Sequence, residues 1–273
     1  MEHEFIRAEM LLGTDGLNKL RSSKVAVFGV GGVGSFVVEA LARCGVGHLV
    51  LIDKDNIAIS NINRQLHATS KTIGKSKVEV MRDRILEINP KAQVTAIQKF
   101  YLPETASELL SNDYDYIVDA VDTLTAKIDL VVRAKEMGIP IISSMGAGNK
   151  MNPAMFEVAD IYETSIDPIA KVMRRELRKR GIDSLKVVYS REVPMKPKIP
   201  GGSIACEQIE NERDDRDDRD DMDQLDQQLS IQQSGQTKKT RKELQPPGSL
   251  SFVPSVAGLI IAGEVVKDLI GMT

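Results

Sequence analysis

The stretch VAVFGVGGVGSFVVEALARCGVGHLVLIDKD, residues 25 to 55, joins an apolar run, a knot of glycines, a segment of helical periodicity and a second apolar run ending in acid. The runs at 25–28 and 48–53 are rich in Val, Leu and Ile and read as strands buried on both faces of a parallel sheet. Between them Val33, Phe36, Val37, Ala40 and Leu41 recur at helical spacing. A strand, turn, helix, strand unit of this kind returns to its own sheet by a right-handed crossover. The alternation continues with a helix over about 75–88 ended by Asn89-Pro90, strands at 94–100, 116–120 and 140–144, and a helix over 125–137 with Gly138 just past its end. The fold class this predicts is α/β: a Rossmann-like doubly wound sheet, mainly parallel, with helices on both faces.

The glycines of the turn are Gly29, Gly31, Gly32 and Gly34. Without a Cβ they permit a tight turn and a close approach of backbone N–H groups to a phosphate, at which the following helix also points its positive end. Nineteen residues beyond Gly34 stands Asp53, placed to accept both hydroxyls of a ribose. Alone, these features favour a dinucleotide oxidoreductase, with a turn that merely packs helix on strand as the bland alternative. The next segment changes the balance. Asn61, Arg64 and Gln65 follow in SNINRQ, and Lys77 stands near a helix start in GKSKVE. A nicotinamide cofactor has no terminal phosphate to neutralise, whereas a triphosphate being split needs Arg and Lys against the charge developing on it. Asp122, in VDAVDT, ends the fourth predicted strand and converges with Asp53 on the crevice beyond the strand ends. Carboxylates beside a triphosphate suit Mg²⁺; Asp119, deeper in the same strand, ranks second to Asp122.

Beyond Gly148 the alternation weakens. DPIAKVMRRELRKR, 167–180, reads as a basic helix started by Asp167 and Pro168, and KVVYS, 186–190, as a short strand. From Glu207 to Asp226 there are eleven acidic residues and three arginines with almost nothing to bury. The expectation is therefore one domain over 1–202 and 248–273, with residues 203–247 a disordered, acidic and polar low-complexity insert. The run from Leu250 to Gly263 is too short to cross a bilayer and contains Pro254; it reads as a buried strand or loop leading into a core helix. The opening MEHEFIRAEM is unlike a signal peptide, and the two cysteines, Cys44 and Cys206, support neither a disulfide framework nor a zinc site, so a cytoplasmic protein is expected. With 36 Lys and Arg against 39 Asp and Glu, only local charge can argue for a nucleic-acid partner.

GxGGxG, the acid of LIDKD, SNINRQ, GKSKVE and VDAVDT, in this order, resemble the ThiF, MoeB and HesA group of the ubiquitin-activating-enzyme superfamily. The resemblance implies an enzyme that adenylates a carboxylate with Mg-ATP. Carried over by position, the glycines and Asp53 hold adenosine; Asp55, Asn61, Arg64, Gln65 and Lys77 surround the phosphates; Asp122 binds Mg²⁺. Arg7, in FIRAEMLLG, matches an arginine lent to a partner subunit's ATP site, which implies a homodimer. The catalytic set implied is Arg64, Lys77, Asp122 and Arg7.

The later segments, DPIAKVMRRELRKRGI, VVYSREVP and GSLSFVPSVAGLIIAGEVVKDLIG, resemble one branch, the tRNA threonylcarbamoyladenosine dehydratases. That branch implies ATP-dependent cyclisation of a threonylcarbamoyladenosine beside the anticodon, with loss of water. Lys171, Arg174, Arg175, Arg178, Lys179 and Arg180 then become a tRNA-binding surface, though a charge run is more commonly a solvated face. The alternative is an adenylyltransferase that activates the C-terminal glycine of a ubiquitin-like sulfur carrier. Against it, the chain lacks paired CxxC motifs, and neither cysteine has a neighbour that would lower its pKa. A cysteine desulfurase or sulfur acceptor as a partner is left open. None of the histidines His3, His48 and His67 is placed as an acid or base.

Overall fold

The computed structural model describes residues 3–196 and 247–272. Within it Met1–Met195 and Gly248–Thr273 pack into one compact unit. The predicted insert, 203–247, and Cys206 lie outside the described residues but for 247.

The chain runs α1 (Ile6–Ser22), β1 (Lys24–Phe28), α2 (Gly34–Arg43), β2 (His48–Ile52), α3 (Lys77–Ile88), β3 (Gln93–Ile97), α4 (Ala106–Leu109), β4 (Tyr116–Asp119), α5 (Leu124–Glu136), β5 (Ile141–Ser144), β6 (Phe156–Asp160), α6 (Pro168–Lys179), β7 (Lys186–Ser190) and α7 (Phe252–Ile270). The seven strands lie in the order β3-β2-β1-β4-β5-β7-β6. All pairs are parallel except β6 on β7. The order reverses between β1 and β4, so the crevice that takes ligands in such sheets opens beyond the carboxyl ends of these two strands.

β1 shows why the central strands read as unbroken apolar runs. Val25 and Val27 enter one core with α2, α3 and α7, while Ala26 and Phe28 enter another with α4, α5 and α6. Helices therefore cover both faces, as predicted for a doubly wound sheet. The boundary strands behave differently. β3 stops at Ile97 rather than at Phe100, because the Lys99 amide turns back onto the Ile97 carbonyl at 3.0 Å. β6, FEVAD, leaves Val158 37% exposed, and its mixed edge pattern gave no strand signal in the sequence.

The apolar run from Leu250 is corrected by the structure: it is neither strand nor loop but the first half of α7 itself. Pro254 lies in the helix's first turn, where its missing N–H would have had no intrahelical partner. At Gly258 a Cβ would sit 2.5 Å from the Val33 carbonyl oxygen, so only glycine lets α7 approach α2 this closely. That contact matters to the site, since Val33 belongs to the glycine turn.

Candidate nucleotide site

The glycines of the turn answer to different constraints. Gly29 has φ 87°, its amide donates to the Ile52 carbonyl at 2.8 Å, and a Cβ there would lie 2.5 Å from Ala120 O. At Gly34 a Cβ would lie 1.8 Å from Gly29 O. These two are required by the loop's own backbone. Gly32 packs on Pro254 of α7, whose Cβ would be 3.2 Å away. Gly31 is unlike the others: the nearest atom to a Cβ is Gln65 Nε2 at 3.9 Å, an ordinary contact, and its φ is not positive. Nothing inside the folded chain demands glycine there, which fits a cradle that a phosphate fills.

The second wall descends from β2. Asp53 accepts the Val30 amide at 2.8 Å on Oδ2 and the Asp55 amide at 2.9 Å on Oδ1, so it ties the glycine loop to the chain after β2. Lys77, the first residue of α3, is only 5% exposed; its ammonium donates to Asp55 Oδ2 at 2.8 Å and stands 3.7 Å from Asp53 Oδ1. Asp55 thus holds the lysine rather than facing an anion. Asn61 closes its own turn, its Oδ1 accepting the Ala58 amide at 3.0 Å. Arg64 is half-buried; its guanidinium donates to Ser60 O at 2.8 Å and Asn63 Oδ1 at 3.0 Å, and its stem lies against Gly32. Gln65 is buried with its amide nitrogen toward Gly31.

The acids of β4 separate cleanly. Asp119 is fully buried and takes Lys127 Nζ at 3.1 Å on both oxygens, the Val121 amide and the Ser143 hydroxyl; it is a structural anion, not a ligand in waiting. Asp122, three residues on, is exposed and receives only the Thr123 hydroxyl at 3.4 Å. Arg7 lies exposed on α1.

Two residues near the crevice had no sequence signal. His67 is 3% exposed beside Lys77, and burial together with that ammonium pushes its pKa down to about 4, so the ring is neutral. Lys127 becomes recognisable only once the fold sets it under Asp119.

The basic helix is real, and its start is firmly held. Asp167 caps α6 through the Ile169 and Ala170 amides at 2.9 and 3.0 Å, and is paired in turn with buried Lys150 at 3.2 Å. Lys171, Arg174, Arg175, Arg178 and Lys179 line a groove of about 370 Å³ on this helix. Glu176, which the charge count passed over, sits in their midst: burial works to raise its pKa, but hydrogen bonds from Arg180, Lys179 and Arg175 outweigh it and hold it near 2. Arg174 is tied to the Thr164 carbonyl at 3.0 Å, and Arg178 lies over the Tyr162 ring at 5.1 Å.

A family model described as the ThiF family matches residues 6–273. The chain is 44% identical over 271 residues to the tRNA threonylcarbamoyladenosine dehydratase of Bacillus subtilis (strain 168), covering 99% of this chain and 96% of that protein. Crystal structures of the E. coli tRNA N6-threonylcarbamoyladenosine dehydratase, in complex with ATP and with AMP, superpose with TM-scores of 0.77 and 0.78. Both share 26% identity with the chain and cover 98% of it and 94% of theirs. The match takes in the glycine loop and crevice together with α6 and α7, and places the chain in the ThiF family, in its branch of tRNA threonylcarbamoyladenosine dehydratases.

Proposed function

We propose that the chain uses ATP to cyclise threonylcarbamoyladenosine in tRNA, through an acyl-adenylate of the threonyl carboxylate. The observation that carries this reading is the crevice itself: Lys77 and Arg64 flank a glycine loop left open at Gly31, with Asp122 exposed beyond the end of β4. Such a set neutralises a triphosphate being split and offers nothing that a hydride transfer needs. Full-length similarity, α6 included, favours the tRNA substrate over a sulfur carrier.

In the first step a carboxylate oxygen bonds to the α-phosphorus and the bond to pyrophosphate breaks. Lys77 and Arg64 bear the charge that accumulates on the departing phosphates. In the second step a nitrogen of the same group attacks the acyl carbon, loses its proton, and AMP departs with the former carboxylate oxygen. The nucleoside has then lost one water. Attack within one molecule has a high effective concentration and needs no cysteine intermediate.

Asp122 suits Mg²⁺ as a hard oxygen donor; among the described residues no group of three or more His, Cys, Asp or Glu is arranged to hold a metal ion, so a cation at Asp122 would take its other ligands from phosphate and water. When bound, the cation would neutralise phosphate charge. The α6 groove takes tRNA phosphates. Arg7 reaches the ATP site of a second copy, and dimerisation covers Met10 and Leu11, 70% and 83% exposed on the same helix. No described helix is long and apolar enough to cross a membrane.

Mass spectrometry of nucleosides from threonylcarbamoylated tRNA, digested mildly after incubation with the protein and Mg-ATP, tests the reading. An ATP-dependent loss of one water is expected. Unchanged tRNA, with pyrophosphate released only when a diglycine-ended carrier is added, would establish the carrier-activating alternative instead.

A further inference from the structure

Among the described residues, four buried side-chain polar atoms have no hydrogen-bond partner: Gln65 Oε1, both ring nitrogens of His67, and Ser76 Oγ. Gln65 is 7% exposed and His67 3%. Buried polar groups are nearly always paired, so orphans gathered on one short stretch of chain call for an arrangement in which they find partners. All four lie on one stretch of chain, residues 65–76, which leads into Lys77. The Gln65 amide lies by Gly31, Ser76 immediately precedes Lys77 at the start of α3, and His67 feels the Lys77 ammonium without accepting a hydrogen bond from it.

The four atoms are complementary. A neutral imidazole has one N–H and one bare nitrogen, Ser76 has an O–H to give, and Gln65 Oε1 can only accept. Brought within reach they would satisfy one another in two hydrogen bonds, Ser76 O–H to the bare nitrogen and the ring N–H to Gln65 Oε1, neither of which is formed in the structure. A protonated ring would break the set, because both of its nitrogens would donate. The consequence falls on Gln65. With Oε1 unpaired its amide is free to turn its acceptor toward an anion; with Oε1 held, both amide hydrogens point away from the ring toward the glycine loop.

We propose that His67 is a positioning residue of the phosphate site, closing a Ser76–His67–Gln65 relay when nucleotide binds and so aiming the Gln65 amide hydrogens at the phosphates. The inference rests on the adenylating function proposed above. His67 touches no reacting atom; it acts through Gln65.

Long-range ¹H–¹⁵N spectra of full-length protein labelled at its three histidines test it, with Mg²⁺ and α,β-methylene-ATP as the probe. His67 is expected to be a single neutral tautomer whose N–H proton moves downfield on addition of the analogue, while Ser76→Ala shifts only the bare nitrogen. His67→Leu should weaken analogue binding roughly tenfold, and His67→Leu with Gln65→Ala should be no weaker than Gln65→Ala alone. An analogue that binds while the His67 resonances stay put, or single effects that multiply in the double variant, would overturn the relay and leave the adenylating function standing. Failure of the wild-type protein to bind the analogue would overturn both.

Discussion

Two aspartates three positions apart on one strand end carry opposite fates, and substitution separates them. Asp119→Asn leaves Lys127 buried without its countercharge and should cost about 3–5 kcal/mol, read as a large fall in Tm. Asp122→Asn, at an exposed carboxylate, should keep Tm while raising the Mg²⁺ needed for turnover. Lys77→Met and Arg64→Ala should each lower ATP-dependent turnover on the order of 100-fold. His67 has its own pH signature. Its folded pKa of about 4 lies below the ordinary 6.5, so between these values the unfolded chain binds a proton that the folded one refuses. This contribution to stability is complete above pH 6.5 and falls by about 1.4 kcal/mol per unit as the pH drops toward 4. In His67→Leu the acid slope of Tm over that window should be shallower; an unchanged slope would place the acid sensitivity elsewhere.

At the scale of elements, α7 governs the glycine turn from behind. Gly258→Val would set a side chain against the Val33 carbonyl and drive α7 off α2, at a cost of about 1–3 kcal/mol. Because Pro254 backs Gly32, the same variant should also bind ATP more weakly, which an exposed-site control such as Gly263→Ala, with open space around it, should not. The basic helix yields a test of sign. Glu176→Gln removes the anion that engages Arg175, Lys179 and Arg180, so tRNA should bind more tightly and with a steeper dependence on salt. Lys171→Glu with Arg178→Glu should do the reverse, raising KM for tRNA while KM for ATP holds. Equal changes in both constants would show that α6 serves the fold and not the substrate.

For the whole molecule, Asn149 is the junction. Held at φ 58°, it gives its amide to Gly248 O at 2.7 Å, accepts the Gly248 amide on Oδ1 at 2.7 Å and the Met195 amide on its carbonyl at 2.7 Å. The described chain on either side of residues 197–246 is therefore fixed on one residue, at Met195 and at Gly248. Replacing 197–246 by a short Gly/Ser linker should leave Tm and ATP-dependent pyrophosphate release near wild type. A collapse of Tm would mean that the insert contributes to the domain's core. Asn149→Ala should weaken the clasp, since its Oδ1 contact is lost and a left-handed φ suits Ala poorly.

Local rules sufficed wherever one stretch of chain carried its own evidence. Apolar runs broken by glycine set the parallel sheet; β7 and, to within two residues, the bounds of α3, α5 and α6 follow from periodicity, caps and terminal glycines; and Arg64 and Lys77 stood out through the order of motifs around the glycine turn, which the fold brings to one crevice. The edge strand β6 and the helical first half of α7 were not, since an edge carries a mixed pattern and the outer side of α7 also carries apolar residues, Phe252 and Leu259 being 45% and 49% exposed, which masks the helical period. The pairing of buried Asp119 with Lys127, the neutrality of His67, and the ion pairs of Glu176 belonged to the tertiary structure. Each depends on which groups distant in sequence are brought within hydrogen-bond reach and how much water is expelled around them, and in a single strand or helix neither quantity exists until the chain has closed on itself.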